Sequence, residues 1–129
     1  MKLLIVGADS PIGEELIKLL KQRGVDYVAP EAGKLDPRDS LKVARVLTKC
    51  SPDQVINLAS YHAGSQLAIM AAEQDPEACE LINHEQPSVL AQACDHLNIP
   101  LLHLSTAYVF SGEKKLGYNE LDVVKPAGV

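Results

Sequence analysis

The chain has no Trp, one Phe and four Tyr, so aromatic residues make up only 4% of it. Cysteine is also scarce. Cys50, Cys79 and Cys94 each fall inside a helical pattern, without metal-ligand spacing. They read as reduced packing residues of a cytoplasmic protein, and a reactive thiol is the weaker alternative. His62, His84, His96 and His103 have no Cys or carboxylate at ligand spacing, so no metal centre is expected. His103 sits in a strand pattern and reads as a core or site-wall residue. Ser65, Ser105 and Ser111 lie in no G-x-S-x-G elbow, which argues against a hydrolase. Positive charge is short, with 12 Lys+Arg against 17 Asp+Glu and a net charge of −5, and this argues against a nucleic-acid surface. No apolar run is long enough to cross a bilayer. The N-terminal run is too short for a signal peptide and meets Asp9 at once.

What is present is an ordinary globular composition, 47% hydrophobic over 129 residues, which suits one domain spanning 1–129 with a real core. Its organising stretch is KLLIVGADSPIG, Lys2 to Gly13. An apolar run, Leu3 to Val6, ends at Gly7. After a turn, a helical pattern continues through Leu16, Ile17, Leu19 and Leu20. Strand, glycine turn and helix open a dinucleotide-binding βαβ unit. Gly7 allows a tight exit from the strand, Gly13 allows close helix packing, and the helix N-terminus offers free N–H groups to a pyrophosphate. The usual middle glycine is replaced by Ser10. Ser10 suits an N-cap, its hydroxyl is within reach of a phosphate oxygen, and Pro11 suits the first helical position. The plainer alternative is a turn whose glycines serve only packing.

Arg23-Gly24 stops the first helix, and Val25 to Ala29 is a second strand. Beyond it, Glu31 would bond a ribose 2′-OH and favour NAD, whereas Lys34 would meet a 2′-phosphate; the pattern leaves both open. LDPRDS leads into a helix from about Leu41 to Cys50, capped by Asp39 or Ser40. Gln54 to Leu58 is a third strand, and Asn57-Leu58-Ala59-Ser60-Tyr61 closes it where ligands of open α/β sheets bind. Ala63 to Glu73 reads as helix or loop with Met70 towards the core. Asp75-Pro76-Glu77 starts a helix towards Leu97, which Pro87 should kink near Asn83. Asn83 then either orders a water at the site or bonds the loosened turn. Leu101 to Leu104 is the fourth strand, and Ser105-Thr106-Ala107-Tyr108-Val109-Phe110 follows its carboxyl end. Glu113, Glu120 and Asp122 look like a solvated tail. The alternation predicts an α/β fold: a Rossmann-like doubly wound parallel sheet, truncated after about four strands, in the order 3-2-1-4.

Taken together, GADSPIG (Gly7 to Gly13), LDPRDS around Asp36 and Asp39, PDQVINLASYH (Pro52 to His62), DPEACELIN (Asp75 to Asn83) and STAYVFSG (Ser105 to Gly112) resemble the N-terminal part of an extended short-chain dehydrogenase/reductase. The resemblance is closest to the dTDP-4-dehydrorhamnose reductase group and covers the whole chain. It implies that Gly7, Ser10, Pro11, Ile12 and Gly13 line the pyrophosphate of NADP or NAD, that Asp36 faces the adenine, and that Ala59, Ser60 and Tyr61 run along the cofactor. It further implies that Thr106 hydrogen-bonds the carbonyl of a 4-keto sugar nucleotide, while a Tyr supplies the proton and a Lys tunes that Tyr.

The chain departs from the group's pattern at Ser10, at Ala107 (an acid in the Ser-Thr-Asp-Tyr segment of the group), and in the longer stretch from His62 to Glu73, which lacks a Val-Asp-Lys-Ala pattern. On the resemblance, Tyr-x-x-x-Lys would follow Val129. The expectation is therefore the cofactor-binding part of a reductase, inactive as this short chain, with the sugar nucleotide bound by a longer parent. A non-catalytic NAD(P)-binding regulatory or interaction module is the alternative. An unpaired fourth strand would favour self-association.

Overall fold

The computed structural model describes residues 1–31, 34–35, 39–61 and 68–126. Strand β1 (Lys2–Val6) is buried along nearly its whole length. Helix α1 (Pro11–Gln22), strand β2 (Asp26–Val28), helix α2 (Ser40–Cys50) and strand β3 (Gln54–Asn57) follow in turn. Then come α3 (Ala68–Gln74), α4 (Pro76–Glu80), a π-helical turn (Leu81–Glu85), α5 (Gln86–His96), β4 (Leu101–His103) and a 3₁₀ turn (Ala107–Val109).

The four strands pair in parallel. The parallel, helix-covered sheet matches the expected class, but the strand order does not. The order is β2-β1-β3-β4 rather than 3-2-1-4. The reason lies in which face each helix covers. Side chains alternate along β1. Leu3 and Ile5 pack with Leu20 of α1 and with Leu58. Leu4 and Val6 pack with Val43 and Leu47 of α2 and Leu90 and Cys94 of α5. Right-handed crossovers that place α1 and α2 on opposite faces must run in opposite directions from β1. The chain therefore steps out to β2, returns over the other face, and lays β3 against the free edge of β1, with Leu4 level with Val55 and Val6 with Asn57. The four apolar residues of β1 suit this central position, because a central parallel strand is buried on both faces.

The helix expected to kink is instead divided. Pro87 has no N–H to give and its ring crowds the carbonyl of residue 83. The backbone accommodates it by a π-helical turn centred on Asn83, and α5 resumes at Gln86. Asp75 caps α4, accepting from the Ala78 N–H at 3.1 Å. Asp39, not Ser40, caps α2, its carboxylate accepting from the Lys42 N–H at 2.8 Å. Met70 is 61% exposed, contrary to the expectation of a core position. Short α3 buries Ala72, and Met70 lies about 200° around the helix from it. Cys79 and Cys94 are buried and Cys50 is half-buried, all free thiols. Burial raises the Cys94 thiol above its ordinary range. Among the described residues no helix is long and apolar enough to cross a membrane.

Candidate functional site

The strand order reverses between β1 and β3, and in open α/β sheets ligands bind beyond the carboxyl ends of the strands at such a reversal. The glycine turn stands there. Gly7 has φ +76°, a conformation that disfavours side chains. It also has no space for one: a Cβ would strike the Ala59 nitrogen and lie 2.6 Å from Ala59 Cα and from the Leu58 carbonyl carbon. Gly13, in the first turn of α1, is similarly restricted. Its Cβ would strike the Gly7 carbonyl oxygen and lie 2.7 Å from Ala8 Cα. The glycines thus bring three backbone segments together: the turn, the start of α1 and the chain leaving β3.

Ser10 caps α1. Its hydroxyl accepts from the Gly13 N–H at 3.1 Å and donates to the Gly7 carbonyl at 2.7 Å. The side chain is buried, 7% exposed. Its proton goes to the Gly7 carbonyl, so the hydroxyl ties the turn together. Pro11 has no N–H and Gly13 has given its own to Ser10. Helix geometry leaves the Ile12 N–H as the first-turn donor facing outward. The Ile12 side chain is 57% exposed.

At the end of β3, Asn57 is fully buried and both ends of its side chain are used. Oδ1 accepts from the Ala59 N–H at 3.1 Å, and Nδ2 lies 3.2 Å from His103 Nδ1 on β4. With its oxygen held by Ala59, the amide presents N–H to the imidazole, so Nδ1 of His103 is the acceptor and Nε2 carries the proton. His103 is exposed otherwise. The sequence places Asn57 in the segment at the ligand end of β3 but assigns its side chain no role. The signal available was an amide inside the apolar run Val55-Ile56-Asn57-Leu58, since buried polar groups require partners. Ala59 and Tyr61 are half-buried and Ser60 is exposed. The Tyr61 N–H donates to Asn83 Oδ1 at 2.9 Å, and Asn83 Nδ2 reaches Cys79 Sγ at 3.2 Å. Of the two roles open for Asn83, the π-helical turn thus gives it a structural one, across to the strip leaving β3. Burial, then Asp75 and Cys79, hold the Tyr61 phenol above its ordinary range.

Thr106 lies beyond β4 at the same end of the sheet, exposed, its hydroxyl accepting from the Tyr108 N–H at 3.3 Å as cap of the 3₁₀ turn. Asp36 falls outside the described residues. Past Thr106 the chain makes a clamped excursion. Tyr118 stacks on Phe110 at 4.4 Å between ring centroids, and its hydroxyl accepts from the Lys114 N–H at 3.1 Å. Contact with Ser111, then that N–H, hold the Tyr118 phenol below its ordinary range. Asp122 was expected in a solvated tail, but it takes both Lys114 Nζ, at 2.6 and 2.7 Å, and the Asn119 N–H, at 2.7 Å. A cavity of about 440 Å³ opens between the glycine turn, α1 and the end of β2, with Ala8, Asp9, Glu14, Tyr27, Ala29 and Glu31 among its lining.

The profile of the RmlD substrate binding domain matches residues 1–129. The chain belongs to this family. It is 37% identical over 117 residues to the dTDP-4-dehydrorhamnose reductase of Streptomyces griseus, covering 91% of this chain and 37% of that protein. A dTDP-4-dehydrorhamnose reductase from Clostridium acetobutylicum has a crystal structure that superposes with a TM-score of 0.86 at 32% identity, over 99% of this chain and 44% of that one. The Bacillus anthracis enzyme, solved in complex with NADP, gives a TM-score of 0.85 at 25% identity, over 98% and 44%. The RmlD-family chain described here thus spans about two fifths of the length of these relatives, and its expected likeness to dTDP-4-dehydrorhamnose reductases stands.

Proposed function

We propose that this chain is the NAD(P)-binding part of a sugar-nucleotide reductase, one that reduces a 4-keto sugar nucleotide. The observation that carries the reading is the glycine turn at the point where the strand order reverses. Gly7 and Gly13 leave no room for a side chain, and the Ile12 N–H faces outward from the helix start. A pyrophosphate fits such a cradle because backbone N–H groups and the positive end of α1 meet it at close range. On this reading Gly7, Ser10, Pro11, Ile12 and Gly13 form the cradle, with Ser10 shaping it rather than touching phosphate. Asp36 serves the adenine side. Ala59, Ser60 and Tyr61 form the wall along which the dinucleotide runs. Thr106 donates to the carbonyl oxygen of the substrate, where negative charge grows during reduction. The bound nicotinamide supplies the hydride. The free cysteines fit a cytoplasmic setting. Exposed β4, with Leu102 in it and Leu104 just past its end each 47% exposed, favours self-association along that edge, which light scattering measures directly.

Titration of NADH and NADPH into the chain, followed by nicotinamide fluorescence and thermal shift, tests the reading. Saturable binding that is lost in Gly13→Val supports it. No binding of either nucleotide by a chain folded by circular dichroism overturns it. One observation favours a second reading, a dinucleotide-binding module without turnover: Ala107 stands where the group carries an acid beside Thr106. Binding without reduction of a 4-keto sugar nucleotide, in a chain extended to relatives' length, would select it.

A further inference from the structure

Asn57 and His103 stand opposite each other in the pairing of β3 with β4. Both fall on the α5 side of the sheet. Val55, two residues before Asn57, packs with Leu90 and Cys94, and Leu101, two before His103, packs against the same cluster. His103 itself is exposed. Three contacts run in series from its ring. Nδ1 accepts from Asn57 Nδ2 at 3.2 Å, and Asn57 Oδ1 accepts from the Ala59 N–H at 3.1 Å. The Ala59 nitrogen is in turn the first atom that a Cβ on Gly7 would meet. An exposed imidazole on β4 is thus linked, through one buried amide, to the glycine turn.

The link has a defined polarity. Asn57 is fully buried, so losing either partner leaves part of its amide unsatisfied. With the ring neutral, the amide N–H meets the Nδ1 lone pair and the amide oxygen meets the Ala59 N–H. A ring protonated on both nitrogens has only N–H to offer. Asn57 then sets a donor against a donor. Turning the amide over mends that contact but puts its NH₂ against the Ala59 N–H, so no orientation satisfies both neighbours. The backbone bonds on either side do not pass through the ring: the Leu104 N–H donates to the Asn57 carbonyl at 3.1 Å and the Leu58 N–H to the Val6 carbonyl at 2.8 Å. The sheet therefore stays paired when the ring is protonated, and the change is confined to the strip that leaves β3.

We infer that His103 is a positioning residue: neutral, it holds the strip of Ala59, Ser60 and Tyr61 against the glycine turn through Asn57; protonated, it releases that strip. The consequence for a ligand rests on the dinucleotide reading above, in which the strip is the cofactor wall. Only the neutral ring completes the series of contacts, so binding is strongest on the alkaline side and weakens as the ring takes up a proton. The elements packed against β4 are β3 and α5. β3 carries no titratable side chain. α5 carries Cys94, buried, and Asp95 and His96, exposed at the end that leads into β4. His84 and Glu85, also exposed, precede α5, with His84 4.0 Å from Glu80. These groups titrate alike in the native chain and in variants at position 103, so a difference between them belongs to His103.

The experiment uses the full 129-residue chain with its His103→Asn and His103→Leu variants. The Asn oxygen is bonded to Cγ as Nδ1 is, and accepts from Asn57 without titrating; Leu accepts nothing. Two quantities are followed from about pH 8 to about pH 5, the range in which histidine changes charge. One is the hydrogen-exchange protection of the Ala59 amide, corrected for the intrinsic pH dependence of exchange. The other is the Kd of NADH and of NADPH. In the native chain protection and affinity should both fall by about fivefold on acidification, the scale of one hydrogen bond. His103→Asn should keep the native alkaline values throughout, and His103→Leu should be low throughout. Ala59 protection that is constant with pH in the native chain, or that falls equally in His103→Asn, overturns the role of His103 whether or not a nucleotide binds. Falling protection with constant affinity overturns its effect on the ligand. Binding of neither nucleotide at pH 8, in a chain whose Ala59 protection follows the expected pattern, overturns the dinucleotide reading and supports the His103 link by itself.

Discussion

The glycine turn after β1 and the excursion after β4 stand at the same end of the sheet but are held by different physics. Around Gly7, backbone packs on backbone. Ala59, Leu58 and Ala8 approach so closely that the absence of a Cβ is the organising fact. Around Thr106 and beyond, side chains do the holding: the Phe110–Tyr118 stack, the Lys114–Asp122 ion pair and the Asn119 N–H to Asp122 bond tie the chain back on itself, while Leu116 and Leu121 remain exposed. A site that grips a constant feature such as a pyrophosphate is served by the first arrangement, since no rotamer has to be fixed. The second leaves room for side chains to vary with a partner or substrate.

The comparison breaks most sharply at Gly7. Gly7→Ala should cost about 3 kcal/mol, combining an unfavourable positive φ with overpacking against Ala59. Urea denaturation measures the loss, and dinucleotide binding should vanish with it. Asn57 joins the two regions, touching Ala59 on one side and His103 on the other. Asn57→Leu should cost about 2 kcal/mol by stranding the Ala59 N–H and the imidazole, and the His103 ring resonances should show loss of a single tautomer. Ser10→Ala removes both the α1 cap and the bond to Gly7, at about 1 kcal/mol, read as a lower midpoint with the same denaturant slope.

The smallest effect lies in the second region. Lys114→Ala should leave the unfolding midpoint nearly unchanged, as exposed ion pairs contribute little, yet shift the Tyr118 ring and Lys125 amide resonances. The same loop responds to pH. The Lys114 hydrogen bond, then the Asn119 N–H, hold the Asp122 carboxyl below its ordinary 3.8. Its contribution is complete above that value and is lost as pH falls through the depressed folded value. Acid titration should therefore release the Tyr118 ring resonances below pH 3.8 while those near Gly7 persist.

Sequence by itself determined the elements and the location of the glycine turn. Four consecutive apolar residues ending at Gly7 demand a buried strand and a tight exit, and Ser10-Pro11 demands a helix start, because these are local steric and hydrogen-bonding requirements of a few neighbouring residues. Pro87 announced a break near Asn83 for the same reason. The tertiary structure decided what depends on residues far apart in the chain. The strand order follows from which face α2 covers, a choice made by packing against β1 and not by the α2 sequence alone. The Ser10 proton goes to Gly7 because the turn folds back within reach of it. Asn57 acquires its role from His103, on a strand 46 positions later. Asp122 is tied into the loop because Lys114, eight positions earlier, is brought alongside it by the turn between them.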